Sequence, residues 1–298
     1  MGEEAAQNQK TDQDRLLALE QLENKAEEGD TQAQFFLGFM YTMGRDVKQS
    51  DAKALKWYRK SADQGFAAAQ ANLAMMYDAG RGVPRDLGAA LKLYRKAAEQ
   101  GEASAEVNLG MMYSMGRGVE KDEAEAIKWF TKAATQGAVT AQYNLAVMYT
   151  EGLGVAKDAA AAMGWYRKAA EQNLALAQFA LGKLYESGLG VAKDEAVAVT
   201  WYRKAGQQAY LPALSKLVFL YDEGRGVTKD EAAAAHWQRM AADLGGAESQ
   251  FQLSQRYATG RGVEKSEIEA VKWLKLSAAQ GLPLAVEKLK QLDDKNKS

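Results

Sequence analysis

At 298 residues the chain is long enough for one or two domains, and its 38 basic against 39 acidic side chains leave a net charge of −1. That balance excludes a strong electrostatic pull toward nucleic acid or an anionic membrane surface. There is no cysteine, which excludes a disulfide framework and thiolate-ligated metal, and only three prolines interrupt a composition suited to helices.

The first stretch, Met1-Gly-Glu-Glu-Ala-Ala-Gln-Asn-Gln-Lys10, is polar and has no apolar signal-peptide core. Residues 1–13 are expected to be disordered. Two settings stay open, the cytosol or an exported, periplasmic location with the signal removed, and the reading leans to the second. No apolar run reaches the roughly 18 residues that span a bilayer, so no membrane insertion is expected. Asp14 then sits where a helix cap is needed and Gly29 where that helix ends, which marks a half-repeat at 14–29.

From residue 30 to 281 one period governs the chain. Tyrosine returns every 36 residues, at Tyr41, Tyr77, Tyr113, Tyr149, Tyr185, Tyr221 and Tyr257. A fixed period of this size marks a solenoid of stacked units rather than one globule. Four residues before each tyrosine stands leucine (Leu37, Leu73, Leu109, Leu145, Leu181, Leu217, Leu253), and four before that a small residue such as Ala105 or Ser249. Steps of four place all three on one face of a first helix, A.

Glycine follows the tyrosine by three residues in every repeat, from Gly44 to Gly260, where a left-handed helix cap belongs. A second glycine comes two residues later in six repeats, and Asp46 replaces it in the first. Aspartate tolerates positive φ, so the turn is expected to survive there. Next comes valine (Val47 to Val263), read as a plug from the turn into the core, then a capping Ser or Asp for a second helix, B: Ser50, Asp86, Asp122, Asp158, Asp194, Asp230, Ser266. Glu125 and Glu269 are placed to complete capping boxes with Asp122 and Ser266. Helix B carries an alanine slot, a tryptophan slot filled in six repeats, and small residues before its own end at Gly65, Gly101, Gly137, Gly245 or Gly281. Asn173 and Ala209 stand in that last slot in two repeats, the alanine being the weaker substitute. Ala285 and Leu289 then fit a capping helix over 282–292, and the charged tail 293–298 is expected to be disordered.

Units such as Ala105-Glu-Val-Asn-Leu-Gly-Met-Met-Tyr-Ser-Met-Gly-Arg-Gly-Val-Glu-Lys-Asp-Glu-Ala-Glu-Ala-Ile-Lys-Trp-Phe-Thr-Lys-Ala-Ala-Thr-Gln-Gly137 resemble the Sel-one-like repeat (SLR), a relative of the tetratricopeptide repeat. The resemblance implies an all-α, right-handed α/α superhelix of antiparallel helix pairs, about 16 helices in one solenoid over 14–292, with helix A on the concave side. It also implies a non-enzymatic adaptor that binds a protein or peptide, with no cofactor. A version of that role is neutralisation of a toxin or effector; a small-molecule hydrolase and a cell-wall or host-contact module are the alternatives. A monomer is expected.

In a solenoid the fixed slots hold the fold, so recognition should sit in those that vary. On helix A these include Phe36, Phe39 and Met43, then Asn72 and Met75, then Asn108, Met111 and Met115. They continue as Asn144, Glu151, Lys183 and Phe219. An apolar strip with adaptable methionines, beside a ladder of amides, suits a protein-binding groove. Phe36, Phe39 and Asn108 are placed on the solvent side. The spacing leaves open whether Met75 and Met111 line the groove or pack on a neighbouring helix, and whether the asparagines bond a partner or adjacent A helices.

No catalytic constellation is found. The Gly-Arg-Gly turns follow a helix rather than a strand and recur in every unit, so capping explains them. The one histidine, His236, occupies a slot held elsewhere by Lys56, Lys92, Lys128 and Lys272, which places it on a solvated face. The capping carboxylates lie one per repeat rather than in convergent pairs. The Tyr-Arg-Lys runs of helix B, such as Tyr166-Arg-Lys168, read as aromatics turned inward and cations turned to solvent.

Overall fold

The computed structural model describes residues 2–297, with side chains described over 15–294. The described residues form sixteen helices and no strand. In chain order the first eight are α1 (Gly2–Glu27), α2 (Thr31–Met43), α3 (Asp51–Asp63), α4 (Ala67–Ala79), α5 (Leu87–Glu99), α6 (Ala103–Met115), α7 (Glu123–Thr135) and α8 (Val139–Glu151). The rest are α9 (Ala159–Glu171), α10 (Ala175–Ser187), α11 (Glu195–Gln207), α12 (Leu211–Glu223), α13 (Glu231–Asp243), α14 (Ala247–Thr259), α15 (Glu267–Ala279) and α16 (Pro283–Lys297). Even-numbered helices are the A helices and odd-numbered ones the B helices. The chain gathers into two compact units, Met1–Leu145 with Leu153–Val155, and Ala146–Gly152 with Ala156–Ser298. The sequence shows an unbroken array, and the division falls inside α8.

Within each unit, consecutive helices pack on one another, and the fixed slots are what they bury. The leucine slot is sealed from solvent in every repeat, Leu73 at 3% exposure being the most open. Opposite it the B helix inserts an aromatic, as Tyr58, Phe130 and Tyr202 do beside Gly38, Gly110 and Gly182; a Cβ on those glycines would come within 3 Å of the ring. The valine plug is half-buried, Val47, Val119 and Val227 each packing on the core of their repeat.

The turn between A and B is built as the spacing predicts. Gly116, at φ +67°, caps α6 and bonds back to the Met112 carbonyl, and Asp46 adopts φ +58° without glycine's freedom. Each capping side chain accepts from the amide of the third residue of its B helix, Asp122 Oδ1 from Glu125 N–H at 2.9 Å among them. The reciprocal half of the capping box is absent. The Asp122 N–H already donates to the Tyr113 carbonyl, and the Ser266 N–H to that of Tyr257. Glu125 and Glu269 therefore turn forward and accept from the indole N–H of Trp129 and Trp273.

Two further expectations are corrected. Residues 2–13 are helical, because nothing between Gly2 and Glu27 interrupts a run rich in Ala, Gln, Glu and Leu. For the same reason α16 runs on through the charged tail to Lys297. The cations of the B helices are exposed but held. Arg59 and Arg95 donate to the hydroxyls of Tyr77 and Tyr113 on the next A helix, and Lys132 and Lys168 lie 4.1 and 4.0 Å over Trp129 and Trp165.

Candidate functional site

Steps of three and four along α2 bring Phe36, Phe39 and Met43 to one face, and the same steps align Asn72 with Met75 on α4 and Asn108, Met111 and Met115 on α6. All of these belong to the first unit. Phe36 is 53% exposed, Met43 63% and Met115 60%, values unusual for large apolar side chains in a chain whose leucine slot is fully closed. Phe39 and Met75 are exposed as well. Phe36 stands edge-on to Phe35, ring centroids 5.7 Å apart, and half-buried Phe35 in turn packs on half-buried Phe66 and buried Tyr58, so the exposed ring rests on an aromatic base.

Met111, Asn108, Asn72 and Asn144 are only half-buried. The Asn72 and Asn108 amide nitrogens donate at 2.8 Å to the carbonyls of Ala68 and Ser104, four residues back on their own helices. Those bonds run within one helix and do not tie neighbouring A helices together, and each leaves the second amide N–H and the amide oxygen of its side chain for a partner.

The second unit holds the remaining candidates. Glu151, Lys183 and Phe219 are exposed. Cations flank the Phe219 ring, Lys216 Nζ at 5.6 Å and the Arg225 guanidinium at 5.8 Å. Both are anchored: Lys216 pairs with Glu186 at 2.8 Å and Arg225 with Glu195 at 2.8 Å. Burial pushes the Glu186 carboxyl up, but hydrogen bonds from Lys216 and Tyr202 and the nearby positive charge outweigh it and hold the group below the usual carboxylate range. Burial and that hydrogen bond to Glu186 push the Tyr202 hydroxyl well up, so it stays a neutral donor.

His236 is exposed on α13, edge-on to Trp237. Among the described residues no three His, Asp or Glu side chains gather as a metal site, and no helix is long and apolar enough to cross a membrane.

One polar feature escaped the sequence reading. Seven residues before the tyrosine lies a buried glutamine, whose Nε2 donates to a carbonyl of the preceding B helix: Gln34 to Ala26, Gln70 to Ala62, Gln142 to Ala134, Gln178 to Ala170, Gln250 to Ala242. A second glutamine closes the link, as Gln100 does with Gln70 at 2.9 Å. Its signal was a polar residue recurring at the repeat period inside an otherwise apolar helix. Glu106 takes this slot once, 2% exposed, and burial pushes its carboxyl up.

The Sel1 repeat model matches the chain seven times, over residues 31–66, 67–102, 103–137, 139–174, 175–210, 213–246 and 247–282. No curated protein matches. Among solved structures the chain is similar to c5321, a protective antigen present in uropathogenic Escherichia coli strains displaying an SLR fold, at 38% identity and TM-score 0.85. That match covers 93% of this chain but 59% of the other, so the chain spans well under two thirds of that relative's length. A Sel1 repeat protein from Oxalobacter formigenes is 36% identical, with TM-score 0.75, over 92% of this chain and 79% of that one. With nearly every residue from 31 to 282 inside a matched unit, the chain belongs to the Sel1 repeat family.

Proposed function

We propose that this Sel1 repeat chain is a non-enzymatic scaffold that holds a protein or peptide partner in its concave groove, against the solvent-facing side of α2, α4 and α6. The observation that carries this reading is the run of exposed Phe36, Phe39, Met43, Met75 and Met115 on three successive A helices. Water contact at side chains of this size is unfavourable by roughly 1.5–3 kcal/mol each, so covering them drives association. Methionine adapts its shape to a partner, while the phenylalanines, backed by Phe35, act as rigid anchors. Asn72 and Asn108 contribute the rim, through the amide oxygen and the second N–H of side chains that one bond to their own helix already orients. Glu151, Lys183 and Phe219 are candidates for contacts made by the second unit alone.

The similar protein c5321 is a protective antigen present in uropathogenic Escherichia coli strains, which agrees with an exported setting for this chain. A toxin held in an inactive complex is the narrower form of the same reading.

The double substitution Phe39→Ala with Met75→Ala tests it. Both side chains are exposed, so the thermal midpoint should stay within a degree or two of the parent. Capture of a partner identified by pull-down and mass spectrometry should fall at least tenfold. Undiminished capture by the folded double variant would remove the first-unit strip from the binding surface.

A further inference from the structure

The slot just before each A-helix tyrosine is a core position, buried as Met76, Met112, Met148, Leu184 and Leu220. In α14 it holds Arg256, 6% exposed. The aromatic slot of the preceding B helix is altered too: where Tyr58, Tyr94 and Tyr202 stand elsewhere, α13 has Gln238, buried, with Nε2 donating to the Ser249 carbonyl at 2.9 Å. Two core positions next to each other have thus become polar in the second unit, and both line a cleft of about 740 Å³ between α12 and α14.

The charged side chains that line the cleft are two of each sign, Arg256 and Arg261 with Asp222 and Glu248. Arg256 Nη2 meets Asp222 Oδ2 at 2.5 Å, and Arg261 lies 3.2 Å from Asp222 Oδ1 and 3.5 Å from Glu231. The hydrogen bonds are not balanced in that way. Arg256 Nη1 and Asp222 Oδ1 are both shut off from solvent, and neither has a hydrogen-bond partner, the Arg261 approach being out of line. Leaving a buried guanidinium nitrogen and a carboxylate oxygen unbonded costs free energy that a Met or Leu, as in the other repeats, would avoid.

One unbonded donor and one unbonded acceptor, among lining charges of both signs, describe the complement of an amide. We propose that this cleft recognises an uncharged amide, the side chain of Asn or Gln or a peptide unit of an extended segment. Its carbonyl oxygen accepts from Arg256 Nη1 and its N–H donates to Asp222 Oδ1. The exposed Arg261 side chain moves aside to admit it, and the apolar part of the ligand lies on Phe219 and Leu211, both exposed on the cleft wall. A carboxylate would leave Oδ1 unbonded and be repelled by it; an ammonium, which has no acceptor, would leave Arg256 Nη1 unbonded.

The probes are three blocked dipeptides, N-acetyl-Phe-Gln-amide, N-acetyl-Phe-Glu-amide and N-acetyl-Phe-norleucine-amide, titrated into the full chain at pH 7. The readout is the shift of arginine side-chain N–H signals. The glutamine probe should saturate, shift the Arg256 guanidinium, and bind at least tenfold tighter than the other two; this assigns a side-chain amide. Equal binding by all three, with the same Arg256 shift, assigns a backbone amide. Arg256→Met, which restores the residue type of Met76 and Met112, should abolish either result while keeping the fold. No saturable shift at Arg256, or tighter binding by the glutamate probe, overturns the proposal on the parent protein alone. Binding that survives in folded Arg256→Met overturns it as well. These titrations report on the second unit only, so they are independent of whether the first-unit strip captures a partner.

Discussion

Ala209 is the residue where local strain is plainest. It ends the turn after α11 at φ +59°, a conformation that its counterparts reach with glycine or, at Asn173, asparagine. An L side chain in that region costs roughly 1–2 kcal/mol. Ala209→Gly should therefore raise stability by about 1 kcal/mol, measured by chemical denaturation, even though glycine usually loosens a chain. Glu106 is the second such residue. Its carboxylate cannot donate to the Ala98 carbonyl, whereas glutamine in five other repeats donates to the matching carbonyl. Burial raises its folded-state pKa above the unfolded value. The folded chain then binds the proton more tightly, so the stability this group allows is full at low pH and is lost as pH rises through the raised pKa. Glu106→Gln should stabilise by about 1 kcal/mol at neutral pH. The gain should shrink as pH falls through the carboxylate range; a gain that is constant with pH would show that ionisation of Glu106 plays no part.

At the scale of the helix and its turn, glycine has two separate uses, and the sequence displayed only one of them. Gly137, after α7, has φ +93°, and a Cβ there would meet nothing within 4 Å, so its requirement is conformational. Gly118 has φ +68°, and a Cβ there would lie 2.6 Å from Leu87 Cβ and 3.2 Å from the Leu87 carbonyl oxygen, at the start of the preceding B helix. The turn of one repeat is thus pressed onto the B helix of the one before. Gly137→Ala should cost roughly 1–2 kcal/mol and Gly118→Ala clearly more, compared by thermal unfolding of the two variants. Equal losses would show that the close approach is relieved without cost. The capping Asp and Ser residues belong to this scale too. They were legible from spacing alone, because a cap is a local bond between residues three apart. The failed capping boxes were not, because the competing acceptor for the cap N–H, the tyrosine carbonyl, lies nine residues back across the turn.

Over the whole molecule, the two units expose surfaces of different chemistry. The first unit presents Phe36, Phe39, Met43, Met75 and Met115, while the second presents Lys183 and Phe219 with its flanking cations. With a net charge of −1 and an apolar strip, partner capture by the first unit should change less than threefold between about 0.1 and 0.5 M salt. A steep loss with salt in a binding assay would point instead to the charged second unit. The period, the helix pairs, the left-handed glycine caps and the exposure of Phe36 and Phe39 all followed from the order of residues, since each rests on contacts that repeat at short, fixed separations. Tertiary structure alone decided three things: that the glutamine slot is a buried ladder, that the slot before the tyrosine is core, and that Arg256 and Asp222 meet in a cleft with a donor and an acceptor unspent. Each depends on what a neighbouring helix offers across the interface, some thirty residues away, and no spacing along a single helix records that.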